Sequence, residues 1–151
     1  MAKIEVKYTS LCKALATLES SIAVLEEIKK AAFRQAIQQY KAEMTHIIDL
    51  GMQDSVIQRF EYTLECLWKY LKDYSNEKFG VTPEIQAPKP TIRACCQAMI
   101  ISEKEASLLI EMIDYRNETS HRYKEEVAEI LSTKIAHYYP VIEKIIRRLK
   151  P

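Results

Sequence analysis

Residues 57–74 read IQRFEYTLECLWKYLKDY, and this stretch decides the fold. Its apolar side chains recur every three or four residues, which places them on one stripe of an α-helix. The stripe consists of Ile57, Phe60, Leu64, Leu67, Leu71 and Tyr74, with Trp68 beside it. We expect this helix to be the most buried element of the molecule.

Two further stripes precede this stretch. The first predicts one helix and consists of Leu11, Leu15, Leu18, Ile22 and Leu25. The second, which contains Phe33, Ile37, Tyr40, Met44 and Ile47, is displaced from the first. One long helix therefore either changes its packing partner near residues 29–32 or breaks there. Residues 49–51 (Asp-Leu-Gly) predict a helix end, and residues 55–58 (Ser-Val-Ile-Gln) have the capping-box pattern that opens a new helix.

The second half of the chain predicts three more helices. Residues 80–90 carry three of the five prolines and predict a semi-rigid connector, which a short helix over about residues 91–101 follows. A second capping box at residues 102–105 begins a helix that we expect to end near Asn117. The last helix has an apolar stripe from Val127 to Leu149. We predict a single all-α domain over residues 1–151, an antiparallel, up-and-down four-helix bundle with an additional short helix.

Composition excludes several functional classes. The 151 residues include only two glycines, where average usage gives roughly ten, so Gly-rich phosphate or dinucleotide loops are excluded. A formal net charge of +1 gives no general attraction to nucleic acid or membrane, and any RNA site must be local. Neither a signal peptide nor a membrane span is apparent, and the four cysteines lack a CxxC spacing. We expect a cytoplasmic protein with reduced cysteines and no cofactor.

One polar segment interrupts the apolar pattern, residues 114–123 (DYRNETSHRY). Arg116 and His121 lie about 140° apart on an ideal helix and share a face only if the helix ends between them. Asn117 tolerates a left-handed helix end, and the Thr and Ser that follow favour a turn. A guanidinium holds phosphate and an imidazole moves protons near neutral pH, which suffices to cleave RNA through its own 2′-hydroxyl without a metal.

Other interpretations of the charged residues remain open. The segment could be an exposed turn in which Arg116 pairs with Glu118. Glu61 and Glu65 could form a carboxylate pair, although a solvated helix face is the more common arrangement. Arg59 and Lys69 could grip RNA, but the neighbouring aromatics Phe60 and Trp68 fit the core better. His46 and His137 lack a second ligand at metal spacing, so we expect structural histidines and no metal site.

Residues 116–123 (RNETSHRY) resemble the Arg-x4-His-x-Tyr signature of the HEPN superfamily, in the HepT-like branch also called nucleotidyltransferase substrate-binding proteins. Residues 54–72 resemble the second helix of that branch, where an Ile-Gln-Arg-Phe-Glu core precedes Trp-Lys. Together with the final helix, the two blocks cover about two thirds of the chain. Residues 30–51 look longer than is usual in the family, and Lys124 stands where an acidic or polar helix cap is usual.

The resemblance implies a homodimer whose motif turns meet across a two-fold axis, so that one cleft carries two copies of Arg116 and His121. It implies a minimal nucleotidyltransferase as partner and a metal-independent ribonuclease that the partner silences by AMP transfer to Tyr123. His121 would be the general acid and base, Arg116 the phosphate ligand and Asn117 a polar assistant. The second candidate function is a non-catalytic accessory subunit that binds substrate for the nucleotidyltransferase. The third is a purely structural dimeric bundle.

Overall fold

The computed structural model describes residues 3–37, 42–121 and 125–151, and for residues 119–121 and 125–127 it describes the backbone only. This part of the chain contains six helices and no strand. The helices are α1 (Lys3–Lys29), α2 (Ala31–Ala36), α3 (Ala42–Phe79), α4 (Pro88–Gln97), α5 (Glu103–His121) and α6 (Glu125–Arg148). None of them is both long and apolar enough to cross a bilayer. The predicted all-α class is therefore confirmed.

The four long helices α1, α3, α5 and α6 form the bundle. α3 is central, because it contacts α1, α4, α5 and α6. Tyr8 of α1 packs on Tyr70 of α3 with ring centroids 5.5 Å apart, near the start of one helix and the end of the other, so these two helices are antiparallel. Among the described residues, α3 supplies five of the twelve largest fully buried side chains: Phe60, Leu64, Leu67, Tyr70 and Leu71.

α3 runs without interruption for 38 residues, so the predicted helix end at residues 49–51 and the new start at residues 55–58 are wrong. Gly51 lies on the exposed side of the helix, where an added Cβ would meet no side chain within 4 Å. A glycine in a helix interior costs about 1 kcal/mol, and the buried residues Val56 and Ile57 that follow offset that cost. Of the two alternatives for residues 29–32, the helix breaks rather than changing its packing partner, because Lys30 has the extended backbone angles φ −68 and ψ 144.

The short helices differ in part from the predictions. α2 is an additional helix with no buried residue, and α4 begins at Pro88 and ends at Gln97, earlier at both ends than predicted. Proline suits the first helical turn, where its missing N–H has no partner to lose. The capping box before α5 is confirmed: the Glu105 amide donates to Ser102 Oγ at 3.1 Å, and the Ser102 amide donates to Glu105 Oε2 at 2.9 Å.

α5 does not end near Asn117 but continues to His121, so the predicted reversal between Arg116 and His121 is wrong. As far as Arg116, the helix is fixed by contacts with both neighbouring helices. Arg116 forms an ion pair with Glu65 on α3, and the Tyr115 ring packs against Tyr138 on α6 with centroids 6.4 Å apart. Beyond Arg116, the preference of Asn, Thr and Ser against a helix interior is only up to about 0.7 kcal/mol per residue, which is too weak a signal to fix a helix end.

Candidate functional site

Arg116 is held between α5 and α3. Its Nη1 donates a hydrogen bond to Glu65 Oε2 at 2.9 Å, and its side chain is 29% exposed. Arg116 is thus paired with a residue of the central helix, a contact that the surface-turn interpretation did not include. A half-buried guanidinium in a fixed position is suited to binding a phosphate, because little side-chain freedom remains to be lost.

Glu65 accepts hydrogen bonds from three side chains. We call the four residues the Glu65 cluster: Glu65, Trp68, Lys69 and Arg116. Trp68 Nε1 donates to Glu65 Oε2 at 2.9 Å, and Lys69 Nζ lies 2.7 Å from Glu65 Oε1. Burial alone would raise the pKa of Glu65, but the hydrogen bonds from Lys69, Trp68 and Arg116 outweigh it and lower the pKa to about 2. Glu65 is therefore a permanently charged counter-ion near neutral pH and not half of a catalytic carboxylate pair.

A group of tyrosines fixes the last turns of α5 on the side facing α6. Lys134 donates a hydrogen bond to the Tyr115 hydroxyl, and its Nζ lies 4.1 Å from the Tyr115 ring centroid. Tyr138 donates a hydrogen bond to Glu111. The pKa of Tyr138 is raised above its ordinary value, mainly by burial and secondly by the Glu111 carboxylate. The residues that precede Arg116 on α5 are thus anchored, and the guanidinium is presented from a well-packed part of the helix.

The other motif residues are placed less completely. Asn117 is exposed, one position after Arg116, and His121 is the last residue of α5. Because the helix is continuous, positions 116 and 121 lie about 140° apart around its axis. Within one chain these two positions do not share a helix face. Tyr123 lies outside the described residues.

Trp68 is not a core residue, which corrects the sequence-based interpretation of the aromatics. Phe60 is fully buried and its ring stacks on Tyr138 at 6.0 Å, whereas Trp68 is half-buried. Lys69 Nζ and Lys72 Nζ lie 5.9 and 5.8 Å from the Trp68 ring centroid. Sequence reasoning missed the Glu65 cluster, although the spacing of Glu65, Trp68 and Lys69 at i, i+3 and i+4 was available as a signal.

The surroundings of the motif differ in charge. On the outer face of α5, a groove of about 350 Å³ is lined by Glu111, Asp114 and Glu118 together with Tyr115. These carboxylates disfavour a polyanion on that face. The α3 side of Arg116 instead presents Lys69 and Lys72, so a polyanion is better accommodated there. In the described part of the chain, no group of three or more His, Cys, Asp or Glu side chains is arranged to hold a metal ion.

Comparisons with known proteins place this arrangement in a class. A protein of Thermus thermophilus is 30% identical; the match covers 89% of this chain and 99% of that one, with a TM-score of 0.62. A tri-AMPylated Shewanella oneidensis HEPN toxin, solved in complex with MNT antitoxin, is 19% identical over 97% of this chain and 96% of its own, with a TM-score of 0.62. A chain of a toxin–antitoxin structure with AMP-PNP is 18% identical over 99% and 100%, with a TM-score of 0.65.

The two toxin–antitoxin structures show the fold, a helical bundle that this chain shares with a HEPN toxin. The model of the family described as "nucleotidyltransferase substrate binding protein like" matches residues 6–151. The chain therefore belongs to this family, which confirms the resemblance seen in the sequence. None of the curated proteins compared with it is significantly similar.

Proposed function

We propose that this chain is the HepT-like toxin of a nucleotidyltransferase toxin–antitoxin pair, a metal-independent endoribonuclease that AMP transfer to Tyr123 silences. The observation that carries the proposal is the fixed position of Arg116, the first residue of the Arg-x4-His-x-Tyr signature, which Glu65 holds at 2.9 Å. The shared family and the HEPN-toxin fold support it.

The active cleft is composite and forms in a homodimer. Because α5 is continuous through His121, the two motif positions of one chain are about 140° apart around the helix. A two-fold axis next to the end of α5 brings Arg116 of one protomer to His121 of the other, and it forms two equivalent sites at once. The predicted fold-back within one chain is not required for this arrangement.

In the proposed reaction, His121 takes the proton of an RNA 2′-hydroxyl, and the 2′-oxygen attacks the adjacent phosphorus. The bond from phosphorus to the 5′-oxygen breaks, and that oxygen leaves with a proton returned by an imidazolium. The products are a 2′,3′-cyclic phosphate and a 5′-hydroxyl end. Arg116 stabilises the charge on the phosphoryl oxygens, and its anchoring by Glu65 orients it before the substrate arrives. Asn117 assists as a polar ligand at the cleft.

Transfer of AMP to Tyr123 explains how a nucleotidyltransferase would silence this site. Tyr123 follows His121 by two residues, so an attached AMP phosphate would compete with RNA for the same guanidinium and imidazole. The similar Shewanella protein is a tri-AMPylated HEPN toxin in complex with an MNT antitoxin, which supports both the modification and the partner.

A non-catalytic accessory subunit is the second candidate. The family description, "nucleotidyltransferase substrate binding protein like", favours it directly. In that role the cleft binds a substrate of the partner enzyme, and Arg116 holds its phosphate without any proton transfer by His121.

Cleavage of RNA by the isolated protein tests the proposal. We expect the wild-type protein, freed of its partner, to cleave RNA in the presence of EDTA. His121→Ala should abolish cleavage, whereas His137→Ala, which changes an exposed histidine of α6, should cleave at the wild-type rate. Intact RNA with wild-type protein, or equal cleavage by His121→Ala, would contradict the ribonuclease assignment.

Incubation with the partner nucleotidyltransferase and ATP separates the two candidates. The toxin proposal predicts a mass increase of one or more AMP groups at Tyr123 together with loss of RNA cleavage, and neither effect in Tyr123→Phe. An unmodified protein that increases the turnover of the nucleotidyltransferase on another substrate supports the accessory subunit instead.

A further inference from the structure

The only tryptophan of the chain, Trp68, lies at the surface of α3 beside the proposed catalytic arginine. Its ring is half-buried, and the ammonium groups of Lys69 and Lys72 lie 5.9 and 5.8 Å from its centroid. The central core of α3 is formed by other residues, such as Phe60 and Leu64. Packing therefore does not account for a tryptophan at this position.

The position of the Trp68 ring relative to Arg116 is fixed by a shared acceptor. Trp68 Nε1 and Arg116 Nη1 both donate to Glu65 Oε2, each at 2.9 Å. The two nitrogens consequently lie within about 6 Å of each other. This separation is comparable with the distance between a phosphate and the base of a neighbouring nucleotide. A strand whose phosphate binds Arg116 therefore carries a base to the Trp68 ring.

The two lysines complete the features of a single-strand binding surface. Proteins that bind unpaired RNA combine aromatic rings, on which bases stack, with cations that follow the backbone. The Lys72 ammonium lies over the Trp68 ring. The other contact described for it is a long hydrogen bond to Gln86 Oε1, at 3.3 Å. An ammonium on a long flexible stem is able to move from the ring to a phosphate when a base takes its place.

We propose that Trp68 forms a stacking subsite for an unpaired nucleobase of the RNA, and that Lys72 binds the phosphate next to that base. This inference rests on the proposed ribonuclease function and specifies its substrate as single-stranded RNA. In a duplex the faces of a base are covered by its stacked neighbours, so duplex RNA does not fill the subsite. Arg116 binds the scissile phosphate, and Trp68 binds a base beside it.

Intrinsic fluorescence tests the subsite directly, because Trp68 is the single tryptophan and reports on no other place. The RNA is a short single strand with 2′-O-methyl groups, which binds but has no nucleophile for cleavage. We expect the wild-type protein to show saturable quenching of its tryptophan emission with this strand. The corresponding duplex should cause little quenching at the same concentration.

Matched variants separate stacking from a structural role of Trp68. Binding of the same strand, labelled for fluorescence polarisation, should weaken about fivefold to a hundredfold in Trp68→Ala. Trp68→Phe should bind nearly as well as wild type, because it keeps a ring although it loses the hydrogen bond to Glu65. Tyr62→Ala removes an exposed aromatic side chain of the same helix and should leave binding unchanged. Lys72→Gln should weaken binding and its salt dependence, whereas Lys78→Gln should not.

The outcomes distinguish this inference from the proposed function. If the wild-type protein cleaves RNA but bound RNA leaves the tryptophan emission unchanged, the subsite is wrong and the ribonuclease assignment stands. If Trp68→Phe is as defective as Trp68→Ala, Trp68 acts through Glu65 and the stacking role is overturned. If RNA is bound with quenching but never cleaved, the ribonuclease assignment fails while the base-binding surface stands.

Discussion

Among the described residues, two glutamate–arginine pairs connect helices of the bundle, and the structural reason for each pair is different. Glu105 at the start of α5 binds Arg148 at the end of α6 through both oxygens, at 2.8 and 2.7 Å. Glu65 in the middle of α3 binds Arg116 through one oxygen at 2.9 Å and shares the carboxylate with Trp68 and Lys69. The first pair joins two helix ends, and the second pair joins a helix interior to the motif.

Local rules account for the pair at the helix ends. An acidic residue favours the first turn of a helix and a basic residue the last, because each compensates the partial charge there. Glu105 also completes a capping box with Ser102, and its side chain is only 12% exposed. No helix end explains Glu65, whose side chain is 31% exposed. An ion pair without a local structural reason, accessible to solvent, is the better candidate for a functional role.

The largest expected difference concerns the two arginines. Arg116→Ala should reduce RNA cleavage by about a hundredfold to a thousandfold, because it removes a group that stabilises charge in the transition state. Arg148→Ala should cleave at the wild-type rate but leave the nearly buried Glu105 without its partner. That loss should lower stability by about 1–2 kcal/mol and the unfolding temperature by roughly 3–6 °C.

Cleavage assays and thermal unfolding of both variants, measured side by side, check this prediction. An Arg148→Ala protein with as little activity as Arg116→Ala would remove the contrast between the two pairs. An Arg116→Ala protein that is inactive because it no longer unfolds cooperatively would likewise assign Arg116 to the fold rather than to the site.

A smaller difference is expected for the two glutamates. Glu65→Gln keeps an acceptor for Trp68 but loses the charge that orients Arg116, so cleavage should fall about tenfold to a hundredfold. Glu105→Gln preserves the capping box, which accepts Gln in place of Glu. Its cleavage rate should stay at the wild-type value, with an unfolding temperature lowered by roughly 2–4 °C. Equal cleavage by the two variants would show that Glu65 does not position Arg116.

The comparison also separates what the sequence predicts from what it does not. The apolar stripes, their displacement near residues 29–32 and the capping box before α5 depend on neighbours within about four residues, so the pattern predicted them. The continuation of α3 past Gly51 depends on the packing of Val56 and Ile57 in the core, which a local pattern does not contain, and the turn signals around Asn117 are too weak to fix the end of α5. Helix ends are decided by such contacts when the local signals are weak.

The candidate site follows the same division. Side-chain chemistry, the Arg-x4-His-x-Tyr spacing and the family resemblance together selected Arg116 and His121. The partner of Arg116 lies 51 residues earlier on another helix, and only the packing of α5 against α3 brings the two together. The exposure of Trp68 was missed for a related reason, since the sequence shows the apolar stripe of α3 but not where its covered face ends.

The last expected effect concerns the pH dependence of stability. The folded protein holds the pKa of Glu65 at about 2, below its ordinary value of 4.5. The folded state therefore binds this proton less readily than the unfolded state, and stability falls as the proton is taken up. The contribution of Glu65 should be complete above about pH 4.5 and should be lost as the pH falls towards 2.

Thermal unfolding of wild type and Glu65→Gln between pH 6 and pH 2 measures this contribution. We expect the wild-type unfolding temperature to fall more steeply below pH 4.5, so that the difference between the two proteins becomes smaller as the pH approaches 2. The pKa of Glu105 is also lowered, mainly by the hydrogen bond from Arg148, so Glu105→Gln should flatten the acid limb too. Because both carboxylates titrate in the same direction, the two pairs should resemble each other in acid stability. If Glu65→Gln follows the wild-type curve at a constant offset through this range, its carboxylate is not held in the charged state by Lys69, Trp68 and Arg116.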